Sequence, residues 1–218
     1  MKIIMFNEQY GLQQAVLDRT KPLTRRFVKC PKKFRGVENL ELEFHKRRGK
    51  DFYYDCVVLD DNGHELGQLP LPYEVGEVVA IAQRYKDAGI EPSTIVKMID
   101  EGQNMFTPVP AIESPGWKNK MYVRADLMPH HIQITDLWFE HLQDISDEDC
   151  MKEGVFLDTT APKCYQPFYT FTGSMDDRCP VGYRTPRRAF AALIDRLSGR
   201  GTWESNPWVI VYTFELVD

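Results

Sequence analysis

The sequence predicts an α+β protein that contains a mixed β-barrel with short flanking helices. Many short segments have the alternating apolar pattern of half-buried strands, a few short segments have helical spacing, and a strand-like segment lies near each end of the chain. We expect the two terminal strands to pair with each other. The 218 residues are enough to bury a sizeable core, and we expect them to form a single domain, residues 1–218.

The first part of the chain is predicted to contain a strand, a short helix and further strands. Residues 2–6 suit a strand, Asn7 can cap a helix, and apolar residues recur at helical spacing through about Asp18. Pro22 cannot continue that helix, so the chain turns there. Asp60-Asp61-Asn62-Gly63 predicts a hairpin turn. The strands expected in this part are residues 25–28, 40–45 and 51–59.

The middle of the chain is predicted to contain a strand, a short helix and a long loop. After a strand at 78–83, Pro92-Ser93 begins a helix in which apolar residues keep helical spacing up to Gly102. Residues 103–116 have several prolines and no periodicity, which indicates a loop. Further strands are expected at residues 120–125 and 132–142.

The last part of the chain begins with a predicted acidic helix. Ser146-Asp147-Glu148-Asp149 has capping-box spacing and places acidic residues in the first turn, and Gly154 suits the position after the helix. Residues 155–183 are rich in aromatic residues, proline and glycine, and we expect an irregular insertion. A final helix begins at Thr185-Pro186, and a strand at 207–216 closes the chain.

Composition limits the classes of function. With 43% hydrophobic and 27% charged residues the chain has the composition of a soluble protein, and no apolar run approaches the roughly 20 residues that span a bilayer. The N-terminal apolar segment stops at Asn7 without a cleavage site, which predicts a cytoplasmic protein without membrane contact. The cysteines are scattered, without a C-x-x-C pair, and the histidines lack ligand spacing, so we expect no metal and no cofactor. Cys150 is expected to be a small buried side chain.

The distribution of charge is more informative than its sum. A net charge of −5 argues against a protein that coats nucleic acid indiscriminately. Positive charge nevertheless concentrates in a basic loop, residues 19–26, that leads into further lysines, and in clusters at 46–50 and 184–188. A solvated face is the alternative interpretation of each cluster. We predict that the loop forms the floor of a nucleic-acid or nucleoside pocket. The predicted ligand contacts are Lys21, Thr24, Arg25, Arg26 and Lys29.

A series of short motifs runs from the first strand to the last. They are Phe6-Asn7, Lys21-x-x-Thr24-x-Arg26, Val75-Gly76-Glu77-Val78, Ile134-Thr135-Asp136, residues 142–149, Glu153-Gly154 and residues 203–209. In order and spacing they resemble the ASCH domain, in the form found in bacteriophages and prophages. The resemblance implies a PUA-like β-barrel, a fold associated with RNA binding, in which the loop after the first helix faces a cleft. The resemblance does not cover about residues 87–115 and 155–183, and it implies that these two segments are family-variable insertions.

The resemblance also implies candidate catalytic residues. In one branch of the family, small bacterial enzymes remove the acetyl group from N4-acetylcytidine with a lysine, a threonine three positions later and a glutamate near the end of the acidic helix. Another branch is associated with ribonuclease activity. By motif the three catalytic positions are Lys21, Thr24 and Glu153. The chain departs from the usual loop pattern where Arg19 replaces a glycine, Thr20 a basic residue and Pro22 a threonine.

The residue types themselves are a workable set for amide hydrolysis. A desolvated lysine can act as a base, a threonine hydroxyl can attack once deprotonated, and a glutamic acid can donate a proton to the leaving amine. From the residues alone, however, Glu153 is expected on the surface of the acidic helix.

Three functions therefore remain open. The leading one is RNA or nucleotide binding in the cleft of loop 19–26. The alternative is an amidohydrolase that acts on N4-acetylcytidine-type modified nucleosides, or a ribonuclease. The third is a protein-interaction module, with an unknown protein partner, that uses the aromatic insertion at 155–183.

Overall fold

The structure is a computed structural model that describes residues 1–48, 52–99, 106–159, 168–173 and 182–218. These residues form a mixed α+β arrangement with many strands and few helices. The strands are β1 (Ile3–Ile4), β2 (Leu23–Phe27), β3 (Glu41–Arg48), β4 (Phe52–Leu59), β5 (Glu65–Leu69), β6 (Val78–Ile81), β7 (Ile95–Ile99), β8 (Phe106–Pro110), β9 (His131–His141), β10 (Val155–Asp158), β11 (Phe168–Phe171) and β12 (Trp208–Leu216). The helices are α1 (Leu12–Leu17), α2 (Asp147–Lys152), α3 (Pro186–Ser198) and α4 (Thr202–Ser205).

A five-stranded sheet is the centre of the fold. Its order is β1-β6-β9-β12-β2, in which β1 and β6 are parallel and the other neighbours are antiparallel. The long ladder between β9 and β12 shifts register between Thr213 and Phe214. The middle of β12, residues 209–212, is buried on both faces. Because β2 is an edge strand of this sheet, side chains on β2 are available to a cleft.

The predicted barrel does not close among the described strands. The prediction that the terminal strands pair with each other is wrong, because β6 and β9 lie between β1 and β12. The short β1 pairs with one edge of β6, and β9 occupies the other edge. The described sheet is therefore open, with β1 and β2 at its two edges.

Three smaller β units surround this sheet. Strands β3, β4 and β5 form an antiparallel sheet, and the predicted hairpin turn between β4 and β5 is confirmed, with Gly63 at φ 78°. Strands β7 and β8 pair antiparallel, and so do β10 and β11. The part of 155–183 that the structure describes thus contains a regular pair of strands, and residues 160–167 and 174–181 lie outside the described residues.

Three predictions for the middle of the chain are wrong. The helix expected after Pro92 is strand β7, and its partner β8 lies inside the segment predicted as a loop. A short apolar run fits both periods, and only pairing with a second strand decides between them. The strand expected at 120–125 is replaced by 3-10 turns at Lys120–Tyr122 and Ala125–Leu127, the first capped by the side chain of Asn119.

Three helix starts were predicted from capping residues, and two of them are confirmed. The Ser146 hydroxyl accepts a hydrogen bond from the Asp149 amide (3.0 Å) and caps α2, and Thr185 caps α3 in the same way, as predicted. Asn7 does not cap α1. Its side chain instead accepts from the Tyr10 amide at 3.1 Å, and the helix begins one turn later, after Gly11.

Two hydrophobic clusters stabilise these elements. The larger one packs α1 and α3 against the central sheet, through side chains such as Leu12, Phe190 and Ile134. The smaller one joins β6 and β7 to the 3-10 turns around Val123. Of the helices in the described ranges, none has the length and apolar character needed to cross a membrane.

Candidate ligand-binding cleft

The basic loop returns over the end of α1 and leads into β2. Both the Thr20 and the Lys21 amides donate to the Ala15 carbonyl, at 2.9 and 3.0 Å, so the loop folds back onto the helix. Arg19 has φ 58°, a left-handed conformation that glycine adopts most easily. The loop thus keeps the conformation that suits a glycine, although an arginine occupies the position. The Arg19 guanidinium also donates to the Leu216 carbonyl at 3.0 Å.

A cleft of about 360 Å³ opens beside this loop. The loop, β2 and Glu153 supply its polar wall, and α3 supplies an apolar wall. The lining residues are Met5, Phe6, Asn7, Leu12, Lys21, Thr24, Arg25, Arg26, Phe27, Lys120, Glu153, Phe190, Leu193, Ile194, Leu197 and Ser198. The volume lies at the small end of the range for ligand pockets, roughly 300–1,000 Å³. The cleft suits one small ligand.

Lys21 and Glu153 meet at the buried side of this cleft. The Lys21 ammonium donates to the Glu153 carboxylate and, at 3.3 Å, to the Glu153 carbonyl. Both residues are buried, with 2% and 5% of their surface exposed. The expectation that Glu153 lies on the helix surface is therefore wrong. Glu153 ends α2, and the following Gly154 lets Leu12 of α1 pack so closely that an added Cβ would lie 2.5 Å from its Cδ2 atom.

Burial changes the proton affinity of Lys21. Removal from water lowers the pKa of the Lys21 ammonium below its ordinary value of 10.5, although the Glu153 carboxylate acts in the opposite direction. A lysine with a lowered pKa gives up its proton more readily. Burial thus favours loss of the Lys21 proton, and the Glu153 carboxylate is the acceptor that the ammonium already bonds.

Arg25 holds the carboxylates of this region together. Its guanidinium donates to Glu140 at 2.8 Å, to Glu153 at 3.2 Å and to Asp149 at 3.3 Å, and its side chain is only 2% exposed. Burial works to lower the pKa of Arg25, but the carboxylates of Glu153 and Glu140 outweigh that effect and raise it. Arg25 was predicted as a ligand contact. Its donors are directed mainly at protein carboxylates.

Glu140 and Asp149 are site residues that sequence reasoning missed. Glu140 lies on β9, two strands away from Arg25, and β12 runs between them. The Trp138 indole donates to the second carboxylate oxygen of Glu140 at 2.7 Å. No spacing in the sequence reveals this contact, because it depends on the order of three strands. The acidic first turn of α2 was the available signal for Asp149.

Thr24 and Arg26 lie on one face of β2, because alternate residues of a strand project to the same side. Thr24 is buried and lines the cleft. One amino group of Arg26 donates to the Met5 carbonyl at 2.6 Å, and its guanidinium lies 5.6 Å from the centre of the Phe6 ring. Burial lowers the pKa of Arg26 below the ordinary value for arginine.

Two further residues do not contribute to the cleft. Lys29 was predicted as a ligand contact, but it is exposed beyond the end of β2 and lies outside the cleft lining. Cys150 is buried as predicted, and burial raises the pKa of its thiol to about 12, so it stays protonated. Within the described ranges, no three or more histidine, cysteine and acidic side chains are grouped so that they could hold a metal ion.

Comparison with known proteins gives no relative for this chain. No family model, no curated protein and no solved structure matches it.

Proposed function

We propose that this chain is a divergent ASCH-type domain with a PUA-like core that binds a nucleoside-type ligand in the cleft and hydrolyses its N4-acyl amide. One observation carries the proposal: Lys21 bonds Glu153 inside a cleft that Thr24 also lines. These are the three positions at which the motif resemblance implies catalysis. RNA binding has less support, because most cations of the cleft already contact carboxylates.

The contact between Lys21 and Glu153 provides a route for one proton. Transfer of the ammonium proton to the Glu153 carboxylate leaves Lys21 as an amine, which takes the proton of the Thr24 hydroxyl as the hydroxyl oxygen attacks the acyl carbon. The Glu153 carboxyl group then donates its proton to the leaving amine as the carbon–nitrogen bond breaks, which restores the ion pair. Water hydrolyses the acyl-threonine ester in the second half of the reaction, which releases the carboxylic acid and restores the hydroxyl.

Arg25 is a positioning residue in this scheme. It bonds one carboxylate oxygen of Glu153 while Lys21 bonds the other, which fixes the plane of the carboxylate. The apolar wall from α3 suits the flat face of a base.

The test is release of cytidine from N4-acetylcytidine. We expect Thr24→Val to lower the rate at least a hundredfold, because valine preserves the shape of the strand and removes the nucleophile. Thr135→Val is the matched control, since Thr135 is an exposed threonine on β9 outside the cleft. Absence of cytidine release by the unaltered protein, or equal rates for the two variants, would refute the hydrolase.

A further inference from the structure

One cation of the cleft differs from the others. Four cationic side chains line the cleft: Lys21, Arg25, Arg26 and Lys120. Lys21 and Arg25 bond Glu153, and the Lys120 ammonium lies 3.0 Å from Glu8. Throughout the described part of the chain, no carboxylate lies within ion-pair distance of Arg26.

The hydrogen bonds of Arg26 leave donors unused. A guanidinium has five N–H donors. One amino group of Arg26 donates to the Met5 carbonyl, while the buried Nε atom has no hydrogen-bond partner among the residues that the structure describes. Arg26 is partly buried, and a cation that is partly removed from water without an ion-pair partner loses hydration that no carboxylate replaces. The position therefore suits an anion that enters with the ligand.

The place of Arg26 restricts what this anion belongs to. Arg26 and Thr24 project from the same face of β2 and are about 7 Å apart along the strand. That separation can hold the phosphate and the base of one nucleotide at different ends of the cleft. Among the described residues one cleft cation has no ion pair, and a single such cation in a cleft of about 360 Å³ matches one phosphate group rather than a polymer.

We propose that Arg26 binds the phosphate of the ligand, so that the cleft takes an N4-acylated cytidine monophosphate in preference to the free nucleoside. This inference rests on the proposed function for the identity of the base. The phosphate site itself depends on Arg26 alone.

Binding of the reaction products tests the inference without hydrolysis. Calorimetric titration of the unaltered protein with cytidine 5′-monophosphate and with cytidine should show about ten- to a hundredfold tighter binding of the monophosphate, as expected for a hydrogen-bonded ion pair. In Arg26→Gln the ratio of the two affinities should fall to near one. Arg188→Gln, an exposed arginine on α3, should keep the ratio. Arg26→Lys retains the positive charge and should keep part of the preference for the monophosphate.

A second measurement examines the anion site without a base. At equal ionic strength, inorganic phosphate should raise the melting temperature of the unaltered protein and of Arg188→Gln more than that of Arg26→Gln, because the general stabilising effect of phosphate is common to all three. The affinity for the monophosphate should fall only modestly as salt is added, because salt screens a single ion pair and no condensed counterions are released.

The outcomes separate this inference from the hydrolase. Equal binding of monophosphate and nucleoside by the unaltered protein overturns the inference, and so does equal behaviour of Arg26→Gln and Arg188→Gln. A preference for the monophosphate without release from the acylated compound supports the phosphate site and refutes only hydrolysis. A much steeper salt slope with oligonucleotides, together with tighter binding of them, overturns the mononucleotide in favour of RNA.

Discussion

Arg25 is a basic residue whose side chain binds carboxylates of the protein. Its sequence position beside Arg26 suggests a phosphate contact, yet the guanidinium contacts three carboxylates and is almost fully buried. Removal of one partner from a buried ion pair costs more than the pair contributes, because the remaining charge stays in a poorly solvated place. Arg25 therefore maintains both the fold and the orientation of Glu153.

Replacement of Arg25 tests that role. Arg25→Met leaves Glu140, Asp149 and Glu153 without their shared cation, so we expect the free energy of unfolding to fall by about 3–5 kcal/mol in urea denaturation. Lys152→Met removes an exposed partner of Asp149 and should leave stability nearly unchanged. An equal loss of unfolding free energy in the two variants would contradict the role of Arg25 in holding the three carboxylates.

The lowered pKa of Lys21 predicts a pH dependence of stability. Between that lowered pKa and 10.5, the unfolded chain binds a proton at Lys21 that the native chain does not bind. Stability rises with pH wherever the unfolded state binds more protons. The free energy of unfolding of the unaltered protein should therefore increase relative to Lys21→Met as pH approaches 10.5, as measured by urea denaturation at a series of pH values. A constant difference would mean that Lys21 keeps an ordinary pKa.

At the scale of elements, the junction between α2 and α1 fixes the position of Glu153. Gly154 has φ 110° and lies against Leu12, whose side chain occupies the space of a Cβ atom. The end of α2 can therefore approach α1 closely enough for Glu153 to reach Lys21. A side chain at 154 would separate the two helices at this point.

Gly154→Ala tests the junction against a matched glycine. Gly36 also has a positive φ, but a Cβ atom there meets nothing within 4 Å. Both alanine variants carry the backbone strain, so the difference between them reports the contact with Leu12. We expect Gly154→Ala to be less stable than Gly36→Ala by about 1 kcal/mol, the low end for overpacking, because a leucine methyl can partly move away. Thermal or urea denaturation measures this difference, and equal stabilities would show that the packing is loose.

Local signals predicted some elements and could not predict others. The caps of α2 and α3 were predictable because a side chain bonds an amide only a few residues away. Residues 95–99 were misassigned, since five residues are too few to separate a helical from a strand period. The 3-10 turns at 120–127 were missed, although the Asn119 side chain that caps the first of them is a local signal.

At the scale of the whole molecule, the order of strands determines which contacts could not be predicted from the sequence. The α+β class and most long strands follow from periodicity, but the open sheet and the contact between Arg25 and Glu140 depend on β12 lying between β2 and β9. Lys21, Thr24 and Glu153 were identified by motif, and the fold brings them to one cleft. That no carboxylate of the described residues pairs with Arg26 could be known only from the folded structure.

The hydrogen bond from Arg19 to Leu216 spans 197 positions of the chain. Strand β2 is also far along the chain from β12, its partner in the sheet. Contacts this distant in sequence form late, because a long loop must close first. During synthesis the basic loop therefore leaves the ribosome well before its supporting strand, and the nascent chain should acquire affinity for its ligand only after residue 216 has emerged.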